Sequence, residues 1–233
     1  MSAQFDRHAD SYTAEVDASV SFSGQGADFF AERKADELVA TVTRTLGETA
    51  SMALLDVGCG IGLTDQFLQE RFGELHGVDL SAAEIAKAQV NNPLGHYQSY
   101  EGDRLPFDDE RFDVALAVCV AHHVEPPDRP GFAAELARVV RPGGLVVVFE
   151  HNPYNPLTRF AVSRCEFDEG VQLLRRTELT EMLTAAGLHT ADRRYILFLP
   201  LRARWAHRVD RALHRLPLGG QHFVAARKPL ASS

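Results

Sequence analysis

Apolar residues recur at helical spacing over residues 28–46, close into the run "MALLDV" at 52–57, and spread out again over 63–72. That alternation predicts helix, buried strand, helix. It repeats with "ELHGVD" at 74–79 as a strand, 82–91 as a helix and a weaker strand near 95–99. Then come "FDVALAVCV" at 112–120 as a strand, 131–140 as a helix and "GLVVVFE" at 144–150 as a strand. Beyond residue 150 the rhythm loosens: a helix over 177–186, a strand at 195–200 ("YILFLP"), a helix over 201–216 and a last strand at 221–228. The breaks fall at "NNPLG", "EPPDRPG", "RPGG", "NPYNP" and "RLPLGG", where proline and glycine interrupt regular structure.

Strands that are apolar along their length and alternate with helices need cover on both faces, so the chain is predicted to be α/β with a parallel sheet. With 233 residues, 45% of them hydrophobic, it can bury one substantial core. No run of about 18 apolar residues occurs, and the start "MSAQFDRHADSY" is polar and acidic, which predicts a soluble, cytoplasmic protein. Cys59, Cys119 and Cys165 are odd in number and widely spaced, which suits a reducing compartment better than a disulfide framework. A net charge of −8 argues against nucleic acid as a partner. The charge is uneven: seven arginines stand against the single acid Asp210 between Arg193 and Arg215.

The strand "LLDV" runs into Gly58, Gly60 and Gly62, a G-x-G-x-G turn that lets backbone pass close to a ligand. A dinucleotide fingerprint would put a small residue at 63, where Leu63 stands. Asp56, just before the loop, suits a cation or amine better than a pyrophosphate. Asp79 ends the second strand, where an acid can take both hydroxyls of a ribose. A ribose, an amine and no phosphate together describe S-adenosyl-L-methionine.

The motifs "LLDVGCGIG", "GVDLS", "GDRLPF" and "RFDVALAVCVAHHV", in that order, resemble those of class I SAM-dependent methyltransferases, in the small-molecule branch of methyltransferase domains 11 and 25. The resemblance covers roughly residues 50–150 and implies a Rossmann-like three-layer sandwich. Its seven-stranded sheet would be mostly parallel with an antiparallel last strand. It also implies that Asp79 binds ribose and that Asp103 lies at the adenine, with Leu80 and Arg104 beside them. Asp56, Gly58, Cys59, Gly60, Gly62 and Cys119 would complete the cofactor site. The N-terminal "FDRHADSYTAEVD" resembles a lid segment, in which Tyr12 is the residue that closes over the cofactor. The chain then reads as one domain, with 1–47 as lid and helical segment and 48–150 as cofactor-binding core. Residues 151–220 would be acceptor-side insertions and helices, and 221–233 the last strand and tail.

The implied activity is methyl transfer to an oxygen or nitrogen of a small molecule, such as a specialised metabolite, a sugar or a glycan-pathway intermediate. The alternative is a SAM-binding enzyme of this fold that transfers no methyl group. A sulfonium methyl is already electrophilic, so the protein's tasks are alignment and proton removal. "CVAHHV" and "FEHN" end the fourth and fifth strands and bring His122, His123 and His151 to one rim as candidate bases, with Glu150 and Asn152 beside them. No metal site is expected, because adjacent histidines on an extended chain point apart.

The insertion at 151–176 offers Tyr154, Asn155, Arg159, Arg164 and Phe167 as acceptor-pocket candidates. If 201–216 is helical, Leu201, Trp205, Val209, Leu213 and Leu216 share one face, and Arg204, Arg208, Arg211 and Arg215 another. The arginine face would dock an anionic substrate or rest on an anionic membrane. The pattern carries no sign of oligomeric state.

Overall fold

Ala53–Val57 forms β1, and all five residues are buried although one of them is an aspartate. The computed structural model describes residues 12–230 except 166, 167 and 169, and leaves aside the side chains of 12, 13, 204 and 207. The other strands are β2 (Glu74–Asp79), β3 (His96–Ser99), β4 (Phe112–Val118), β5 (Val140–His151), β6 (His189–Ile196) and β7 (Gln221–Arg227). They make one sheet in the order β3-β2-β1-β4-β5-β7-β6. Only β7 runs against the rest, antiparallel to both β5 and β6. Chain direction along the sheet reverses between β1 and β4, which pair in parallel through Asp56 and Leu116. Their carboxyl ends therefore open a crevice at one edge.

Successive strand residues point to opposite faces, and two cores result. Leu54, Leu116, Val147 and Phe223 pack on one side with α2 (Ala27–Thr45), through its Phe29, Leu38 and Val42. Leu55, Ala115, Val148 and Val224 pack on the other with α4 (Arg129–Val139) and α6 (Arg176–Ala185). The helix α1 (Tyr12–Val20) lies against α2, and α3 (Ala82–Asn91) follows β2. Ser81 begins α3 by accepting a hydrogen bond from the Glu84 N–H at 3.2 Å. Asn155 likewise caps α5 (Pro156–Val162) through the N–H groups of Leu157 and Thr158.

Three sequence expectations change. No α-helix forms over 63–72; apart from the short 3-10 stretch Asp65–Phe67, these residues make turns with mixed three- and four-residue hydrogen bonds. Asp65 is drawn fully inward by the Tyr97 hydroxyl, 2.9 Å away, so the helical register is not kept. The sixth strand spans His189–Ile196 instead of 195–200. Pairing with β7 makes a strand of the polar "HTADRR", and its polarity fits the sheet edge, where Asp192 ties to Arg44 and Arg194. The third concerns α7 (Arg204–Leu213), which is shorter than 201–216 and turns Ala206 and Asp210 inward. Asp210 accepts from Arg33 and from the Phe198 N–H, so an ion pair anchors the helix while Leu201, Trp205 and Leu216 stay exposed.

Candidate functional site

The crevice between β1 and β4 opens into a cavity of about 1240 Å³. A pocket for one drug-sized ligand measures roughly 300–1,000 Å³, so this cavity exceeds what a single small molecule needs. The loop after β1 forms the floor. Gly58, Gly60 and Gly62 all have left-handed backbone, at φ +76°, +54° and +72°. A Cβ on Gly58 would stand 2.5 Å from Val120 Cγ2, whereas one on Gly60 would meet only Glu84 Oε2, at 3.8 Å. Gly60 thus faces the open side, and Gly58 lets the loop close on the β4 end.

Asp79 holds this loop: its Oδ2 accepts from the Gly60 N–H and its Oδ1 from the Ser81 N–H, both at 2.9 Å. Asp56 lines the cavity at 2% exposure, and its Oδ1 has no hydrogen-bond partner among the described residues. Burial, then the charge and hydrogen bond of Asp65, push the Asp56 carboxyl well above its usual range. Burial likewise lifts Asp65 to about 6, against opposing hydrogen bonds from Tyr97 and Asp56. The two acids sit together beneath the loop, joined by a side-chain hydrogen bond.

Of the residues expected to hold cofactor, the structure brings Asp56, Gly58, Cys59, Gly60, Asp79, Leu80, Asp103 and Cys119 to the cavity wall. Gly62 is turned away, packed within 2.2 Å (as a built Cβ) of Asn92 Nδ2 and close to Ala88. Arg104 also faces away, because the turn after Asp103 directs its side chain outward to Asp109, 3.7 Å off, at 71% exposure. Tyr12 opens α1, but its side chain lies outside the described residues.

The histidine rim differs from the expectation in a useful way. Residues 121–124 turn after β4, and the rings of His122 and His123 approach to 4.2 Å between centroids instead of pointing apart. Both Nε2 atoms converge on Asp168 Oδ1, at 3.2 Å from His122 and 3.3 Å from His123. These donor atoms lie within 4.8 Å of one another, a spacing that a divalent cation could also bridge. His122 Nδ1 donates to Glu150 Oε2 at 2.6 Å. Burial alone would lower the His122 pKa, but the two carboxylates outweigh it and hold the ring protonated, well above 6.5. Burial would raise Asp168, yet its hydrogen bonds from His122 and His123 keep it well below the usual range. His151, lowered to about 4 chiefly by burial, is uncharged near neutral pH. His123, His151 and Asp168 line the cavity; His122 and Glu150 stand behind them.

On the opposite wall α5 contributes Leu157, Thr158, Ala161 and Val162, one helical face. Asn155 lines the cavity as expected. Arg159 is exposed on α5, Arg164 beyond the helix end stacks over Phe160, and Tyr154 is exposed at 54%. None of these three reaches the cavity wall. Phe167 lies outside the described residues. Sequence reasoning missed Asp65, Lys34, Gln221 and Asp168, since none belongs to a local motif. Asp168 did fall inside the insertion that breaks the α/β rhythm, which was its only signal.

A family model described as a methyltransferase domain matches residues 55–148. The chain is 28% identical over 194 residues to a ubiquinone biosynthesis O-methyltransferase of Methylobacterium nodulans, covering 78% of this chain and 74% of that protein. It is 33% identical over 143 residues to a chloroplastic tocopherol O-methyltransferase of Arabidopsis thaliana, covering 58% and 40%. Among solved structures it is similar to a SAM-dependent methyltransferase of Thermotoga maritima, described as a possible histamine N-methyltransferase. That match has a TM-score of 0.68 at 18% identity, over 98% of this chain and all of the other.

Proposed function

Because this chain belongs to the class I SAM-dependent methyltransferase family, and is an enzyme that methylates a small molecule, we propose that its acceptor atom is a hydroxyl oxygen deprotonated by His123. The observation that carries the proposal is the convergence of His123 on Asp168 at the cavity wall. A His–Asp pair beside open space is suited to take a hydroxyl proton. O-methylation agrees with the relatives named for ubiquinone and tocopherol.

The residues present fit the cofactor. Gly60 leaves a cradle that a Cβ would narrow, and the unpartnered Asp56 Oδ1 is placed for an ammonium group. Asp56 would hold the amino group, Asp79 the ribose and Asp103 the adenine, with Leu80 and Cys59 packing beside them. When bound, S-adenosyl-L-methionine supplies an electrophilic methyl group. Asp168 fixes the His123 ring through Nε2. His151, neutral, would orient the hydroxyl. Apolar α5 side chains exclude water from the same space.

Residues 48–150 thus serve as the cofactor half, and 151–220 shape the acceptor half. The exposed Arg208, Arg211 and Arg215, with Trp205 beside them, form an outer face for an anionic substrate or membrane surface. Among the described residues no helix is long and apolar enough to cross a membrane. Cys59, Cys119 and Cys165 form no disulfide among the described residues, which supports a reducing, cytoplasmic setting.

The test is incubation with methyl-labelled SAM and a metabolite extract, with products resolved by mass spectrometry. A labelled methyl ether supports the reading. Label only on nitrogen or carbon would sink the hydroxyl assignment.

A further inference from the structure

Gln221 opens β7, and the strand register sets it opposite His151, the last residue of β5. Its side chain is 7% exposed and lines the cavity. The amide nitrogen meets two neighbours at 3.4 Å, His151 Nδ1 and the Cys119 sulfur. An amide nitrogen carries two hydrogens, one for each of them. Oε1 has no hydrogen-bond partner among the described residues. A buried carbonyl oxygen left unpaired costs stability, so packing alone would favour an apolar side chain here. Cys119, just beyond β4, holds a left-handed backbone at φ 57°, which a non-glycine residue keeps only where its surroundings fix it. The amide thus joins the ends of β4 and β5 at the cavity wall.

The consequence falls on His151. Its ring is uncharged near neutral pH, because burial lowers it to about 4, so it carries one ring proton. Asp168 and Glu150 act on it to raise that value and His122 and Lys34 to lower it, but none of the four hydrogen-bonds to it among the described residues. An N–H donated to Nδ1 makes that nitrogen the acceptor and leaves the proton to Nε2. Nε2 makes no hydrogen bond among the described residues, and His151 lines the cavity.

We propose that Gln221 is a positioning residue: it fixes His151 with the ring proton on Nε2, so that His151 meets the acceptor as a hydrogen-bond donor and not as a base. The inference rests on the reading of His123 as the base. A hydroxyl has one hydrogen, which goes to His123, and two lone pairs. The His151 N–H takes one lone pair, and the other is left a single open direction.

The ring proton can be located without an acceptor. Long-range proton–nitrogen correlation spectra of the isotope-labelled full chain near neutral pH report which nitrogen holds it, with His151→Gln identifying the His151 signals. The natural chain should show a protonated Nε2 and a bare Nδ1, and Gln221→Leu a mixture of the two forms. A proton on Nδ1 of the natural chain, or a tautomer that Gln221→Leu leaves untouched, overturns the proposal. With labelled SAM and extract, Gln221→Leu should slow methyl incorporation by about three- to tenfold, the worth of one neutral hydrogen bond, at unchanged affinity for S-adenosylhomocysteine. His151→Gln, which keeps an N–H, should retain more activity than His151→Phe. Equal losses of about 10²–10⁴-fold in both would mark His151 as a base and overturn the donor role. Label on nitrogen or carbon in the natural chain would instead remove the hydroxyl reading, and the donor role with it, while the ring-proton result would stand.

Discussion

His122 Nδ1 donates to Glu150 Oε2 across 2.6 Å, and both side chains are sealed from solvent. Glu150 ends the central β5, while His122 sits in the turn beyond β4, so the bond fastens the two strand ends that frame the cavity. Burial alone would raise Glu150; the His122 charge and hydrogen bond outweigh it and hold it below 4.5. Removing one partner of a buried ion pair costs about 3–5 kcal/mol. Glu150→Ala is therefore expected to lose stability of that order in urea unfolding.

The pH dependence of that pair follows from both partners. Glu150, depressed in the folded state, adds stability that is present above about pH 4.5 and fades as pH falls through its folded value. His122, raised in the folded state, adds stability that is present below about pH 6.5 and fades as pH rises through its folded value. The stability gap between the natural chain and Glu150→Gln should be widest between these pH values and shrink toward acid. A gap that stays constant down to pH 3 would show that the pair does not carry this charge.

His123 and Asp168 make a separate prediction, because they touch the cavity and His122 does not. Replacing His123 with Ala is expected to lower kcat by about 10²–10⁴-fold, the usual contribution of a general base. Asp168→Asn should lower it less, since the ring remains but loses its fixed tautomer. Affinity for S-adenosylhomocysteine should be unchanged in both, as neither residue belongs to the glycine loop. Equal loss of cofactor affinity and kcat would assign the pair to folding of the rim instead of proton transfer.

Gly60 and Gly62 should separate by role. Gly60→Ala meets open space, so its cost is the left-handed backbone, about 1–2 kcal/mol. Its larger effect should be weaker cofactor binding. Gly62→Ala adds overpacking against the buried Asn92, about 1–3 kcal/mol more. Thermal melts with and without cofactor read both effects. If Gly60→Ala binds S-adenosylhomocysteine as tightly as the natural chain, the cradle does not approach the ligand.

Much of this arrangement is legible in the sequence itself. β2 and α3 occupy the residues that their patterns predict, because a mostly buried strand and a Ser-capped amphipathic helix each announce themselves locally. Asp79 follows from its distance to the glycine loop. β6 does not, since its polar residues form a strand only by pairing with β7 at the sheet edge. Nor does Asp168: it meets His122 from 46 residues away, a contact that no local periodicity encodes. The paired histidines differ from an extended-chain expectation for the same reason, as the turn at 121–124 brings their rings together. Burial and local geometry are written in neighbouring residues; convergence of distant side chains is written in the fold.

The acids beneath the loop yield the last prediction. Asp56 and Asp65 are both raised, Asp65 to about 6, so in the cofactor-free chain they retain a proton that unfolding would release. Their contribution to stability is present at acid pH and is lost as pH rises from about 4 through 6, opposite in sign to that of Glu150. A cationic ligand competes with the same proton. S-adenosylmethionine affinity should therefore weaken as pH falls through the range in which the pair takes up that proton, by about tenfold per unit if one proton is displaced. Calorimetry in two buffers of different ionisation heat should detect that proton at pH 5.5 and find little release at pH 8. Asp65→Asn removes one of the two acids and should flatten the profile. An affinity constant from pH 5 to 8 would mean that the pair does not exchange a proton for the ligand's charge.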